Sequence, residues 1–169
     1  MPHSRVRASA TLFHRRQRDG IDYYRSSPTD IWRALNIQNL NFTGVEATVR
    51  VTPSPAQTVD VSYSALRGRQ DTAPLGYTKY SFNYPTHSAT VSWQGSLRDT
   101  IVVRTRIGAL ARVARDPYAL WDISAAGGRG RLRPFIQLAN ITSTRYEEIQ
   151  GVIMPGRSIL GGVELVLHR

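Results

Sequence analysis

Alternation with a period of two runs through nearly the whole chain, and it restricts the fold more than any other feature. From Thr100 to Ala109, Ile101, Val103, Thr105 and Ile107 alternate with Val102, Arg104, Arg106 and Gly108. Val45, Ala47, Val49 and Val51 oppose Gly44, Glu46, Thr48 and Arg50, and Val59, Val61, Tyr63 and Ala65 oppose Asp60, Ser62 and Ser64. Ala89, Val91 and Trp93 oppose Ser88, Thr90 and Ser92, and Ile159, Gly161, Val163, Leu165 and Leu167 share a face near the end. Successive side chains of a strand point to opposite faces, so this pattern specifies strands with one apolar face. Helical spacing is nowhere convincing, and the chain reads as all-β with about eight antiparallel up-and-down strands.

The punctuation between strands predicts which end of the sheet each connection occupies. Short connections fall at Thr52–Gln57, Gly95–Asp99 and Gly127–Gly130, and longer ones at Asp22–Asp30, Arg67–Thr78, Ala114–Pro117 and Glu147–Gly156. They alternate long and short, as expected of a barrel with tight turns on one side of a membrane and long loops on the other. Val6–Tyr24 and Trp32–Thr52 each run near twenty residues before a turn signal. A membrane strand needs about 9–11 residues and soluble strands average about 5–6, so these lengths favour a large barrel. Tyr23, Tyr24, Trp32, Tyr77, Tyr80, Phe82, Tyr84, Tyr118 and Trp121 gather near the longer connections, where an interfacial girdle is expected.

Composition removes several classes of function. There is no cysteine, hence no disulfide or thiol chemistry. The 22 Lys+Arg against 12 Asp+Glu give a net charge of +10, with Lys79 the sole lysine. Such a balance raises the question of nucleic acid, but the arginines are spread along the chain, as at Arg16, Arg50, Arg104, Arg131 and Arg157. With no basic run or recognition helix to concentrate them, nucleic-acid binding is not expected. The start carries no apolar leader and no apolar run reaches membrane-helix length, so any membrane crossing falls to strands. His3, His14, His87 and His168 lack metal-ligand spacing, and no P-loop, nucleophile elbow or dinucleotide fingerprint occurs. Neither an enzyme nor a cofactor is expected.

The stretch from Leu132, LRPFIQLANITSTRYEEIQGVIMPGRSILGGVELVL, resembles the C-terminal end of TonB-dependent outer-membrane receptors. There a penultimate strand ends in an Asn-Leu-Thr type motif with a following Tyr, and Pro-Gly-Arg precedes the last strand. The matching positions are Asn140, Ile141, Thr142, Tyr146 and Glu147, then Pro155, Gly156 and Arg157, then Gly162 to Leu167. Upstream, Asn39–Ala47 (NLNFTGVEA), Tyr84-Pro85-Thr86-His87 and Tyr118–Ile123 (YALWDI) are similar to stretches of the same barrels, in family order. The apolar face switches from even to odd numbers across Pro85, as a bulge requires. Read physically, Asn140 and Tyr146 bridge backbone where a strand leaves the sheet. Pro155 and Gly156 permit sharp re-entry, and Arg157 holds a carboxylate or a loop carbonyl.

The resemblance implies the C-terminal portion of a receptor barrel in the cell outer membrane. The intact protein is then expected to take up a scarce nutrient of the ferric siderophore or cobalamin type. Its plug domain, its N-terminal strands and its TonB-contacting segment are expected outside these residues. Glu46, Arg50, Arg104 and Arg106 are expected to face the lumen and the plug, and Tyr23, Tyr24, Arg25 and Tyr77 to be extracellular loop contacts. Two alternatives stand beside it. One is a complete small barrel closed by pairing Val6–Phe13 with Ile159–Leu167; the other is a soluble all-β binding module with short strands and a polar outer face.

Overall fold

β-branched and aromatic residues on a two-residue period build thirteen strands in the computed structural model, which describes residues 5–37, 39–70, 76–79, 84–98, 100–113, 115–149 and 151–167. Eight of them form one antiparallel sheet: β1 (Val6–Gln17), β4 (Leu40–Ser54), β5 (Gln57–Gln70), β7 (Pro85–Leu97), β8 (Ile101–Arg112), β9 (Tyr118–Gly127), β10 (Leu132–Ala139) and β13 (Ser158–Leu165). Each pairs with its predecessor in that order, which is the expected up-and-down path. Among the described residues β1 pairs in this sheet only with β4, and β13 only with β10. The sheet is therefore open, and Val6–Phe13 does not meet Ile159–Leu165.

The register sorts the side chains into two faces. One cross-strand row runs Ala8, Val49, Val61, Val91, Ile107, Trp121. Its larger members, from Val49 to Trp121, are 37–50% exposed. Rows on either side of it are similarly apolar, and on β10 and β13 the same face carries Pro134, Ile136, Leu138, Ile159, Gly161 and Val163. Polar atoms on this face are paired with each other: Trp121 Nε1 donates to Thr105 Oγ1 at 2.8 Å, and Tyr63 Oη lies 2.8 Å from His87 Nδ1. Leu40 is the one buried hydrophobic among the described residues. A single layer with so much exposed apolar surface has no core of its own and needs an apolar environment on that side. The strands of this sheet run from 8 residues in β10 and β13 to 15 in β4, longer than the short strands expected of a soluble module.

On the opposite face three phenylalanines lie against three glycines directly across the ladder: Phe13 on Gly44, Phe42 on Gly68 and Phe135 on Gly162. A Cβ at Gly68 or Gly162 would come within 2.9 Å of the facing ring, and one at Gly44 would come closer still. The missing side chain makes room for the ring to lie along the sheet.

The ends of the long strands differ from expectation. Asp19 and Asn39 both adopt left-handed backbone at φ 54°, a conformation that Asp and Asn tolerate. They divide the first hairpin, so its upper part becomes a separate pair, β2 (Gly20–Arg25) with β3 (Arg33–Ile37). Asp22 to Arg25 is thus strand, and the connection is only 26–32. β5 continues to Gln70, and after it β6 (Tyr77–Thr78) pairs with the far edge of β2, giving the order β3-β2-β6. The 113–117 connection is barely longer than 128–131, so the contrast of long and short is weaker there than the sequence suggested. The last connection carries its own small hairpin, β11 (Glu147–Ile149) with β12 (Val152–Ile153). At Pro85 the ladder shifts register between Pro85 and His87, the bulge that the face switch required.

Candidate functional site

On the polar face one row crosses six strands as Arg7, Arg50, Asp60, Ser92, Arg106, Asp122. Alternation puts all six on the side opposite the valines, and the antiparallel register aligns them. Arg50 Nε meets Asp60 Oδ1 at 2.5 Å, an exposed pair that contributes little to stability. Arg104 lies one row away and donates from Nε to Gln94 Oε1 at 2.7 Å. Glu46 lies two rows away, between Thr11 and Ser64. In this central row three arginines outnumber two aspartates. It suits a hydrated, partly acidic surface laid against it.

A second cluster sits on the three-stranded sheet. Arg25 on β2 places its guanidinium 4.5 Å from the Trp32 ring and 5.6 Å from the Tyr77 ring. Its Nη1 donates to the Pro28 carbonyl at 2.6 Å. Lys79 Nζ lies 5.6 Å from the Tyr23 ring and 6.0 Å from Trp32, and its backbone N–H donates to the Tyr23 carbonyl at 2.9 Å. Tyr23, Arg25 and Tyr77 are therefore brought together, but from strands β2 and β6 and not from loops. Tyr24 pairs with Arg33 and Thr78 in the same sheet. Trp32 and Lys79 complete the cluster without having been singled out for it. Lys79 meets Tyr23 and Trp32 from far away in sequence, and no local pattern announces either contact. Cations stacked on aromatic faces hold the β5–β7 connection against the first hairpin. In the 26–32 connection Asp30 accepts from Ser26 Oγ at 2.7 Å and from the Ile31 N–H at 2.8 Å, which holds its carboxyl below the usual range.

The third element is the connection from β10 to β13. Asn140 is buried, 5% exposed, with φ at 48°. Its Nδ2 donates to the carbonyls of Thr144 at 2.9 Å and Pro155 at 3.4 Å, and its Oδ1 accepts from the Thr144 N–H at 2.9 Å. Its own N–H donates to Asp122 Oδ1 at 2.9 Å, a partner the sequence did not indicate. Thr142 Oγ1 is 2.8 Å from Thr144 Oγ1. Arg157 donates from Nε to the Ile141 carbonyl at 2.8 Å, so it holds a loop carbonyl. Gly156 sits beside Ser143, within 3.3 Å of its hydroxyl once a Cβ is added. Tyr146 stacks on Tyr118 with ring centroids 4.8 Å apart, and its carbonyl accepts from the Met154 N–H. Burial first, then the charge of Glu148, pushes the Tyr146 phenol up. Glu147 Oε2 accepts from the Gly151 N–H at 2.9 Å and closes the small hairpin. The side chains of Asn140, Glu147 and Arg157 are thus spent on the backbone of their own connection, whereas Thr142 meets a neighbouring hydroxyl and Tyr146 a ring on β9.

Comparison with known proteins places this architecture. A family model described as TonB dependent receptor-like, beta-barrel matches residues 2–133. The motif around Asn140 lies beyond that match. No curated protein matches the chain. Among solved structures, the copper transporter OprC aligns over 97% of this chain at 16% identity with a TM-score of 0.73. The siderophore receptor PiuA from Acinetobacter baumannii aligns over 94% at 14% identity with a TM-score of 0.65. The chain spans 29% and 26% of those two proteins. At such identities the likeness is one of fold, whereas the family match covers well over half of the chain. The chain belongs to the TonB-dependent receptor β-barrel family.

Proposed function

We propose that this chain is the C-terminal portion of the barrel of an outer-membrane receptor that takes up a scarce nutrient, of the ferric siderophore or cobalamin type, with energy relayed by TonB. The observation that carries the reading is the sorting of faces. Eight strands in register present one continuous apolar face and one polar, charged face, which is what a lipid-facing wall around a wet lumen requires. The neighbours in fold are named as a copper transporter and a siderophore receptor, which favours transport over catalysis.

In this reading Glu46, Arg50, Arg104 and Arg106 face the lumen, and the arginines meet acidic groups of a plug domain. The end carrying β2, β3 and β6 is extracellular, and Tyr23, Tyr24, Arg25 and Tyr77 lie near the path of an incoming ligand. The test uses the full gene product. It is expected in the outer-membrane fraction and to need detergent for extraction. Deleting the gene should abolish growth on one iron source or cofactor source, and loss of TonB should reproduce that defect. A monodisperse product in the soluble fraction would overturn the reading.

A further inference from the structure

The side chains of two arginines at the start of the first strand, Arg5 and Arg7, enter none of the contacts described above. Arg7 stands directly opposite Arg50 across the β1–β4 ladder. The Thr52 N–H donates to the Arg5 carbonyl at 2.8 Å, which carries that ladder one rung further. All three arginines are exposed and line one cavity of about 670 Å³, beside the short 55–56 connection. Opposite side chains of paired strands have Cβ atoms about 5 Å apart, and Arg5 follows Arg7 at about 7 Å along the strand. Like charges so placed repel each other unless an anion sits among them. Asp60 offsets one of the three by accepting from Arg50 Nε. Arg5 and Arg7 meet no carboxylate among the described residues, so the cavity keeps a surplus of positive charge.

The rest of the lining supplies neutral donors. Thr52, Ser54 and Thr58 are half-buried there, and among the described residues their hydroxyls make no hydrogen bond to the protein. Pro53 and Pro55 fix the turn backbone beside them. A guanidinium fork grips an oxyanion through paired N–H groups, and hydroxyls donate to the oxygens that remain. Two cations without a carboxylate, ringed by free hydroxyls, match a compact dianion. We propose that Arg5, Arg7 and Arg50, with the hydroxyls of Thr52, Ser54 and Thr58, form a binding site for a phosphate dianion, free or carried as a small monoester. The site lies at the end of the wall away from β2, β3 and β6, which is the periplasmic mouth of the lumen in the reading above. Its chemistry does not depend on that reading, and it is centred on two arginines to which that reading gives no role.

The test uses the full gene product in a nonionic detergent and a phosphate-free buffer, titrated calorimetrically with inorganic phosphate and with phenyl phosphate. Both probes should bind, and added salt should weaken both. Phenyl phosphate binding much more tightly identifies a monoester as the natural form, and inorganic phosphate binding more tightly identifies the free ion. A hydrogen bond to a charged group is worth about tenfold, so Arg7→Gln should lose about tenfold and Arg5→Gln/Arg7→Gln about a hundredfold. Arg131→Gln, which removes one charge from the same end of the sheet at the 128–131 connection, should bind as the parent does. A second readout needs no calorimetry. Phosphate should raise the denaturation midpoint of the parent and not that of the double variant, which in phosphate-free buffer should be no less stable than the parent. Absence of binding, retention by the double variant, or an equal loss from Arg131→Gln would overturn the proposal. Binding of a tetraglutamate peptide but of neither phosphate probe would overturn it in favour of a seat for an acidic chain segment.

Discussion

The two faces of β7 allow a sharp test, because Val91 and Thr90 are neighbours in sequence and differ in the solvent they meet. Val91 stands in the central row of the apolar face and is 48% exposed. Thr90 faces the other way, between Ser62 and Gly108, where the glycine leaves space. In water, Arg at a half-exposed Val costs about 0.5 kcal/mol or less. On a lipid face near the bilayer midplane it costs about 2–4 kcal/mol, which is about 30- to 800-fold in the folding equilibrium. Thr90→Arg should cost under about 1 kcal/mol in either environment, since its side chain enters a hydrated space. The assay is denaturant unfolding of the full gene product in lipid vesicles, read as heat-modifiable migration on gels and as tryptophan fluorescence. The expected result is a large loss of stability for Val91→Arg and a small one for Thr90→Arg. Equal effects from the two variants, or a larger one from Thr90→Arg, would refute the assignment of faces.

Other consequences can be measured the same way. Asn140→Ala removes partners from the Thr144 N–H and the Thr144 and Pro155 carbonyls and places alanine at φ 48°, so a loss of about 2–4 kcal/mol is expected. Asn140→Gly, which tolerates that backbone, should lose less, and the denaturation midpoints rank the two. Gly44→Val drives a side chain into the Phe13 ring and should cost about 1–3 kcal/mol, partly recovered by Phe13→Ala in a double-mutant cycle. The Asp30 carboxyl is held below its ordinary value of 3.8 in the folded chain, first by the Ser26 hydroxyl. Its contribution is therefore complete above about pH 3.8 and is lost as pH falls through the lower folded value. Protection of the Ile31 amide from hydrogen exchange, taken relative to its intrinsic rate at each pH, should fall only in that acid range, and Asp30→Asn should lower it at neutral pH.

Much of the wall was legible in the residues, because lipid on one side and water on the other impose strict alternation, and alternation survives in any single sequence. Val45 to Val51 and Ile101 to Ile107 announce their faces without help, and Pro85 announces its bulge. The loop end was less legible. Asp19 and Asn39 bend the first hairpin through one backbone conformation each, and a single left-handed residue leaves no periodic trace. The pairing of Tyr77 with Arg25 joins segments with three strands between them, so neither segment carries a sign of it. Asn140 and Arg157 stood out in the sequence and do bridge backbone. Asp122, which anchors the Asn140 N–H from β9, looked like one more polar residue in an alternating strand.

The position of β6 sets a limit on whatever adjoins the first strand. Among the described residues the edge of β1 is open along Val6–Gln17, but above the bend the corresponding edge of β2 is taken at Tyr24 and Arg25 by Thr78 and Tyr77. A strand that joins this edge can hydrogen-bond along those twelve residues, about 40 Å of ladder, and must turn away before it reaches Tyr23. The connection after β5 thereby fixes the height of a wall to which it contributes no strand. Lengthening or shortening that connection would change how far the neighbouring strand zips, and with it the outline of the rim.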